Sequence, residues 1–327
     1  MLRPFVFFCI SIKNRAISPL LTLFLRSGAF MTEENVNIST KKKTDKDSLK
    51  REKLKRRITE IDFIRGIAII IMVLDHAMYD LGYLLADMFN DYPYKLDFTA
   101  SIYKFARTFW NWQVRIDVRY FILFLFLALT GISCSFSRNN FKRGIKLFAV
   151  AMFLTLVTFV FGKMIDDRDL TIIFGILHCI SVTILLISAI EFITENLPFD
   201  NKWIYLGLGV ILTATGAYVS FINPKVQPAS YGQEPFVTLF LKTVVGIYEV
   251  GSDSYSLLFY GGQIFLGVFL GKWLYKDRKS LIVKGDYKNN FITFAGRHSL
   301  LVYIAHQVIL PLLFSIILLC LGFKLSF

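Results

Sequence analysis

The sequence predicts an all-α protein, a polytopic transmembrane helical bundle of about seven spans, and three observations predict it. Of the 327 residues, 55% are hydrophobic and 16% aromatic, well beyond an ordinary soluble domain, whose apolar share sits nearer half with far fewer aromatics. Seven windows supply the roughly 20 predominantly apolar residues that a bilayer-crossing helix needs: 62–86, 118–137, 145–162, 170–192, 203–222, 255–274 and 298–323. Basic residues gather in three clusters, at 41–57, 137–146 and 272–297, and seven spans put all three on one side. Lys/Arg-rich loops stay in the cytoplasm, so we expect a multi-pass plasma-membrane protein with its N-terminus inside and its C-terminus outside.

Residues 1–30 hold two short apolar runs, FVFFCISI and AISPLLTLFL, broken by Lys13 and Arg15 and lacking the small-residue cleavage pattern of a signal peptide. Met31 opens a polar stretch that leads into the basic run, so translation is expected to start there and 1–30 to be dispensable, the alternative being an interfacial anchor. Residues 41–57 carry ten Lys/Arg against three acids, which places much of the formal net charge of +13 in a tail. No zinc-finger, RNP or OB-type signal accompanies that run, which excludes nucleic-acid binding and leaves a cytoplasmic segment attracted to anionic lipid headgroups. The domain reading is an N-terminal extension and basic, disordered tail over 1–57, followed by one transmembrane domain over 58–327.

The first span carries the chemistry. RRITEIDFIRGIAIIIMVLDHAMYDLGYLL (56–85) reads as a membrane helix, yet it contains Asp62, Arg65, Asp75, His76 and Asp80, and a charge inside hydrocarbon costs several kcal/mol by most scales. At 100° per residue with Arg65 at zero, Met72 falls at about −20°, His76 at about +20°, Ile69 at about +40°, and Asp62 and Asp80 at about +60°. The four polar groups therefore share one stripe, and only Asp75 lies well off it. Such a stripe faces a protein interior or a wet cavity, because hydrocarbon cannot solvate it. At 1.5 Å per residue His76 sits roughly 21 Å from Asp62, in the outer part of the membrane, while Arg65 stays near the cytoplasmic face. Asp62 and Arg65, at i and i+3, also admit a plain ion pair at the helix end. His76 suits proton transfer near neutral pH.

The later spans add fewer candidates. TIIFGILHCISVTILL places His178 in the fourth span at a depth near that of His76, where two histidines could meet; no ligand triplet of characteristic spacing accompanies them, and no metal is expected. The segment 236–250 is short, contains Lys242, and reads as an eighth, re-entrant or surface-lying element. FAGRHSLLVYIAHQVILPLL carries Arg297 and His298 at the inner end of the last span, with His306 and Gln307 about two turns deeper. For His306 a functional and a structural reading stand level. Gly131, Ser133 and Ser135, and Gly261, Gly262, Gly267 and Gly271, read as small residues that let membrane helices approach closely. No phosphate loop is present. The four cysteines, Cys9, Cys134, Cys179 and Cys320, lack CxxC spacing and read as small core residues.

The motifs RRITEIDFIRGIAIIIMVLDHAMYDL, GISCSFSRNN, IIFGILHCI, FLGVFLGKW and GRHSLLVYIAHQ resemble the heparan-α-glucosaminide N-acetyltransferase catalytic-domain family in its shorter bacterial form, over about residues 56–315. The acyltransferase-3 family shares the pattern R-x-x-x-[LI]-D-x-x-R-G with a basic residue eleven positions before a His, which Arg65 and His76 match; FGILH and GRHSLLVYIAHQ favour the former. The resemblance implies transfer of an acyl group, typically acetyl from cytoplasmic acetyl-CoA, to a sugar hydroxyl or amine on the far side. It casts His76 as general base or acyl carrier. Asp80 would orient its ring, His178 is a further catalytic candidate, and Arg65 with Arg297 or Lys272 would hold the CoA phosphates. The sequence departs from the eukaryotic enzymes of that family in its expected smaller number of spans and lack of a lumenal domain, so a bacterial envelope glycan or lipid-linked sugar is the expected acceptor.

Two other readings are open to the same residues. A transporter or flippase would use buried Asp, His and Arg as a proton relay, and would show inverted repeats or matching broken helices, neither of which is visible. A non-catalytic scaffold would use the polar stripe to hold helices together, and would tolerate His76→Asn.

Overall fold

The computed structural model describes residues 57–164, 171–196, 198–222, 235–251, 253–282 and 290–326. The expectations for the N-terminal extension and for the tail up to Arg56 lie outside the described residues. The structure is all-helical, 77% helix, with no strand among the described residues. In chain order the helices are α1 (Thr59–Tyr79), α2 (Leu85–Met88), α3 (Asp97–Trp110), α4 (Gln113–Ser135), α5 (Asn140–Met164), α6 (Ile176–Thr194), α7 (Lys202–Ala217), α8 (Phe236–Val245), α9 (Leu257–Leu274), α10 (Phe291–Arg297) and α11 (Ser299–Cys320). Wider π-helical turns, Asp80–Leu84 and Tyr218–Ile222, follow α1 and α7.

Six helices are long and apolar enough to cross a membrane: Gln113–Ser135, Asn140–Val160, Ile176–Thr194, Lys202–Ser220, Leu257–Leu274 and Ser299–Cys320. They coincide with six of the seven expected windows. The seventh, α1, matches them in length at 21 residues but carries Glu60, Asp62, Arg65 and Asp75, so composition alone does not place it with the rest. It continues through the π turn into α2 as one helical run from Thr59 to Met88. The eighth element, α8, has ten residues, about 15 Å of rise against a hydrocarbon core of about 30 Å, and cannot span. Gly246 ends it at φ 96, a left-handed conformation that favours glycine.

Chain packing divides the molecule into two compact units, one comprising Asn111–Lys279 and the other the described residues up to Trp110 together with those from Ser280 onward. In the first unit α9 packs against α4, α6 and α7, and α5 pairs with α6. The expected small residues make those contacts possible. A Cβ at Gly131 would stand 2.7 Å from the Val268 nitrogen, and one at Gly267 would stand 2.8 Å from the Ala128 carbonyl carbon. Two helices can meet at backbone distance there only because neither bears a side chain. Cys134 and Cys179 are buried as the core reading requires, whereas Cys320 is exposed.

In the second unit α1 packs against α10, α11 and α3. A Cβ at Gly66 would stand 2.7 Å from the Ile292 carbonyl carbon, so α10 lies directly on the α1 backbone. Beyond the π turn, Leu84, Leu85, Met88, Phe89 and Tyr92 form an apolar core with Leu318 and Phe323. The chain end is fastened there, with Ser326 N–H donating to the Met88 carbonyl at 2.8 Å. This anchors α11 alongside α1, and that pairing positions the site.

Candidate functional site

Three polar layers follow one another along α1. At the Thr59 end, Glu60 and Asp62 are both buried and both held. Glu60 accepts from the Ser280 hydroxyl and from Leu281 N–H at 2.7 Å. Asp62 Oδ2 accepts from Arg57 Nη1 at 2.8 Å, and Arg65 Nη1 approaches Asp62 Oδ1 at 3.8 Å. Two guanidinium groups thus flank one carboxylate. The i, i+3 ion pair is present, and the Arg57 contact supplements it. Gly296 of α10 lies against the Asp62 backbone, which brings the neighbouring Arg297 to the same seam. Its guanidinium stacks over Phe294 at 5.4 Å and its Nε donates toward His298 Nε2 at 3.4 Å. Lys272 belongs to the other unit, where it donates to Asn201 Oδ1 at 3.0 Å and lies 5.3 Å from the Tyr205 ring centre.

The second layer is a histidine pair. His76 on α1 and His306 on α11 have ring centres 5.0 Å apart and planes at 82°. The Nδ1 of His76 lies 2.8 Å from the Met72 carbonyl oxygen, and that of His306 lies 3.1 Å from the Val302 carbonyl oxygen. A carbonyl oxygen only accepts, so each Nδ1 carries a proton and each neutral ring keeps its lone pair on Nε2. Both histidines are held alike, each by the carbonyl one helical turn before it. His306 is buried, and its Nε2 has no hydrogen-bond partner. Leaving a buried polar group unsatisfied costs about 1–3 kcal/mol, and such groups call for a functional explanation.

The third layer begins at Asp80, buried at the first position of the π turn. Turns of this kind recur at functional sites. The expectation that Asp80 orients the His76 ring is not met at Nδ1, whose partner is the Met72 carbonyl. On the same stretch of chain Tyr79 and Tyr83 stack at 5.4 Å, with Trp110 at 5.0 Å from Tyr79 and Arg107 at 4.2 Å over Tyr83. The sequence reading did not single out this aromatic group. Its only sequence signal is the spacing of positions 76, 79, 80 and 83 on one helical face.

His178 takes a different part from the one expected. It lies in the other unit, buried at the third position of α6. Its Nδ1 accepts from Gly175 N–H at 3.3 Å, and its Nε2–H donates to Thr155 Oγ1 at 3.1 Å, which in turn donates to the Ile172 carbonyl. One nitrogen closes the start of α6 and the other ties that helix to Thr155 of α5. Asp253 supports the same helix start, accepting from Ile176 N–H at 3.3 Å. Burial pushes its carboxyl up to about 6, against the pull of that backbone bond and of Arg119.

The comparisons with known proteins bear on this geometry. The family model described as heparan-alpha-glucosaminide N-acetyltransferase, catalytic, matches residues 57–308, a stretch that contains both histidines of the pair. No curated protein and no solved structure matches the chain.

Proposed function

Since the chain belongs to the heparan-alpha-glucosaminide N-acetyltransferase catalytic family and is a multi-pass membrane protein of acetyltransferase type, we propose that it moves acetyl from cytoplasmic acetyl-CoA to a hydroxyl or amine of a sugar-containing acceptor on the extracytoplasmic side. The observation that carries this reading is the histidine pair, in which half-buried His76 meets buried His306 and presents an imidazole on a membrane-length helix whose other end bears Arg65. An acceptor must lose a proton as it attacks a thioester, and an imidazole is the side chain best suited to take that proton, or to carry the acetyl itself, near neutral pH.

Arg65 and Arg297 lie at the α1 and α10 seam, a placement that suits the diphosphate of CoA, since guanidinium grips phosphate through paired hydrogen bonds. The charge clusters support a topology in which this end faces the cytoplasm and the aromatic group of Tyr79, Tyr83 and Trp110 faces outward. Planar aromatic faces at that end suit a sugar ring. An envelope glycan or lipid-linked sugar in the plasma membrane is the acceptor class we favour.

The test is direct. Purified protein in lipid vesicles, given acetyl-CoA labelled in the acetyl group and glucosamine as a probe acceptor, should produce labelled acetylglucosamine and free CoA in equal amounts. Uptake of label or of sugar without acetyl transfer would instead support the proton-coupled transporter reading.

A further inference from the structure

We infer that His306 is a second catalytic residue, the base that deprotonates the acceptor when His76 carries the acetyl group. The inference rests on the acetyl-transfer reading above and names the role of a residue that reading leaves idle.

The argument starts from the tethers. Each ring donates its Nδ1–H to a backbone carbonyl, His76 to Met72 and His306 to Val302, so each has one reactive nitrogen, Nε2. In a first step the His76 Nε2 lone pair attacks the thioester carbonyl carbon. An N–C bond forms, the C–S bond breaks, and CoA leaves as thiolate with the bonding pair, while the acylated ring, still protonated at Nδ1, bears the balancing positive charge. His76 then has no lone pair with which to accept a proton. A second base is required, and the ring in contact with His76 is that of His306, centres 5.0 Å apart. Its Nε2 is buried and without a partner, which is the state of a base held ready. In the second step the acceptor N or O attacks the acetyl carbon, its proton passes to His306 Nε2, and the C–N bond breaks with its electron pair returning to His76 Nε2. The proton then leaves His306 for water, and both rings return to their starting form.

Asp80 is the rival base. It lies one turn beyond His76 on the same helical run, buried, whereas in the histidine pair the edge of one imidazole meets the face of the other. The ring of Tyr303 also lies near, its centre 5.8 Å from that of His306.

The experiment separates the two half-reactions in the full-length protein in lipid vesicles. Exchange of labelled CoA into acetyl-CoA without any acceptor reads the first step. Acetyl transfer to glucosamine, and slow hydrolysis by water, read the second. Hydroxylamine, a strong nucleophile that needs little help losing its proton, reads the second step without a base. His306→Asn should keep CoA exchange within about threefold and lose glucosamine transfer and hydrolysis by about 10²- to 10⁴-fold, the usual contribution of a positioned base. Its acetylhydroxamate yield should stay near that of the wild type. His76→Ala should lose all four. Exchange and transfer falling together in His306→Asn, transfer surviving in it, or Asp80→Asn giving the pattern expected of His306→Asn would each overturn the inference. A wild-type protein that shows neither exchange nor transfer would instead overturn the acetyl-transfer reading on which it rests.

Discussion

Gly296→Ala is expected to loosen the seam that holds the charged end of the site. The methyl would overlap the Asp62 carbonyl oxygen and stand 2.6 Å from the Gly66 nitrogen, where ordinary contact begins at 3.4 Å. The obstacle on both counts is backbone, which cannot rotate aside as a long side chain can, so α10 has to retreat by at least about 0.8 Å. Overpacking of this kind costs about 1–3 kcal/mol, and the rigid neighbours here argue for the upper part of that range. For a domain of this size about 1 kcal/mol shifts the melting temperature by about 2–4 °C, so a fall of several degrees is expected for the detergent-solubilised protein. Gly207→Ala is the matched control. No atom lies within 4 Å of its Cβ position, and replacing an unopposed helical glycine should raise stability by about 0.5–1 kcal/mol. Melting temperatures that moved in the same direction for both variants would refute the reasoning that α10 sits at backbone distance from α1.

Three further outcomes are expected. His178→Ala should lower the melting temperature, because it removes one hydrogen bond at the start of α6 and one to Thr155 of α5, each worth about 1 kcal/mol; a hundredfold loss of turnover in protein that remains folded would place His178 in the catalytic set. Asp253, with its carboxyl raised from 3.8 to about 6, binds its proton more tightly folded than unfolded, so stability should decline as pH rises from about 4 through about 6. Asp253→Asn should flatten that part of the profile, and an unchanged slope in melting temperature against pH would contradict the assignment. Arg65→Lys should raise KM for acetyl-CoA with the fold intact, since an ammonium cannot copy the paired contacts of a guanidinium; an unchanged KM would reduce Arg65 to its ion pair with Asp62.

Much of this architecture was legible in the residues. A run of bilayer length with at most one charge has few alternatives to a spanning helix, and six windows proved to be helices within about six residues of their expected bounds. The glycines of α9 announced close packing for a reason equally local, the absence of a side chain. The partner of His76 was not legible. Periodicity tells which face of α1 is polar, but not which helix meets that face, and His306 arrives from α11, some 230 residues later. Nor does α11 help, being apolar on nearly every side, so that its sequence marks no preferred face. Asp80 was placed by a 100° rotation per residue, a rule that holds through Tyr79 and lapses in the π turn that Asp80 itself begins. The role of His178 was readable in principle. Gly175 and His178 stand at helix-start and third-position spacing, from which a side chain can reach back to the N–H of the first residue, with imidazole in the place usually taken by Glu or Gln.

The central claim is that acetyl transfer depends on the imidazole of His76, and the most direct test compares wild-type and His76→Ala protein in the same vesicles. With acetyl-CoA and glucosamine supplied at saturation, the variant is expected to remain folded, to bind CoA with unchanged affinity, and to lose turnover by at least about 10²-fold. A variant that turned over within a few-fold of the wild type, with its defect confined to a lower melting temperature, would contradict the account and leave His76 a residue that holds α1 to α11.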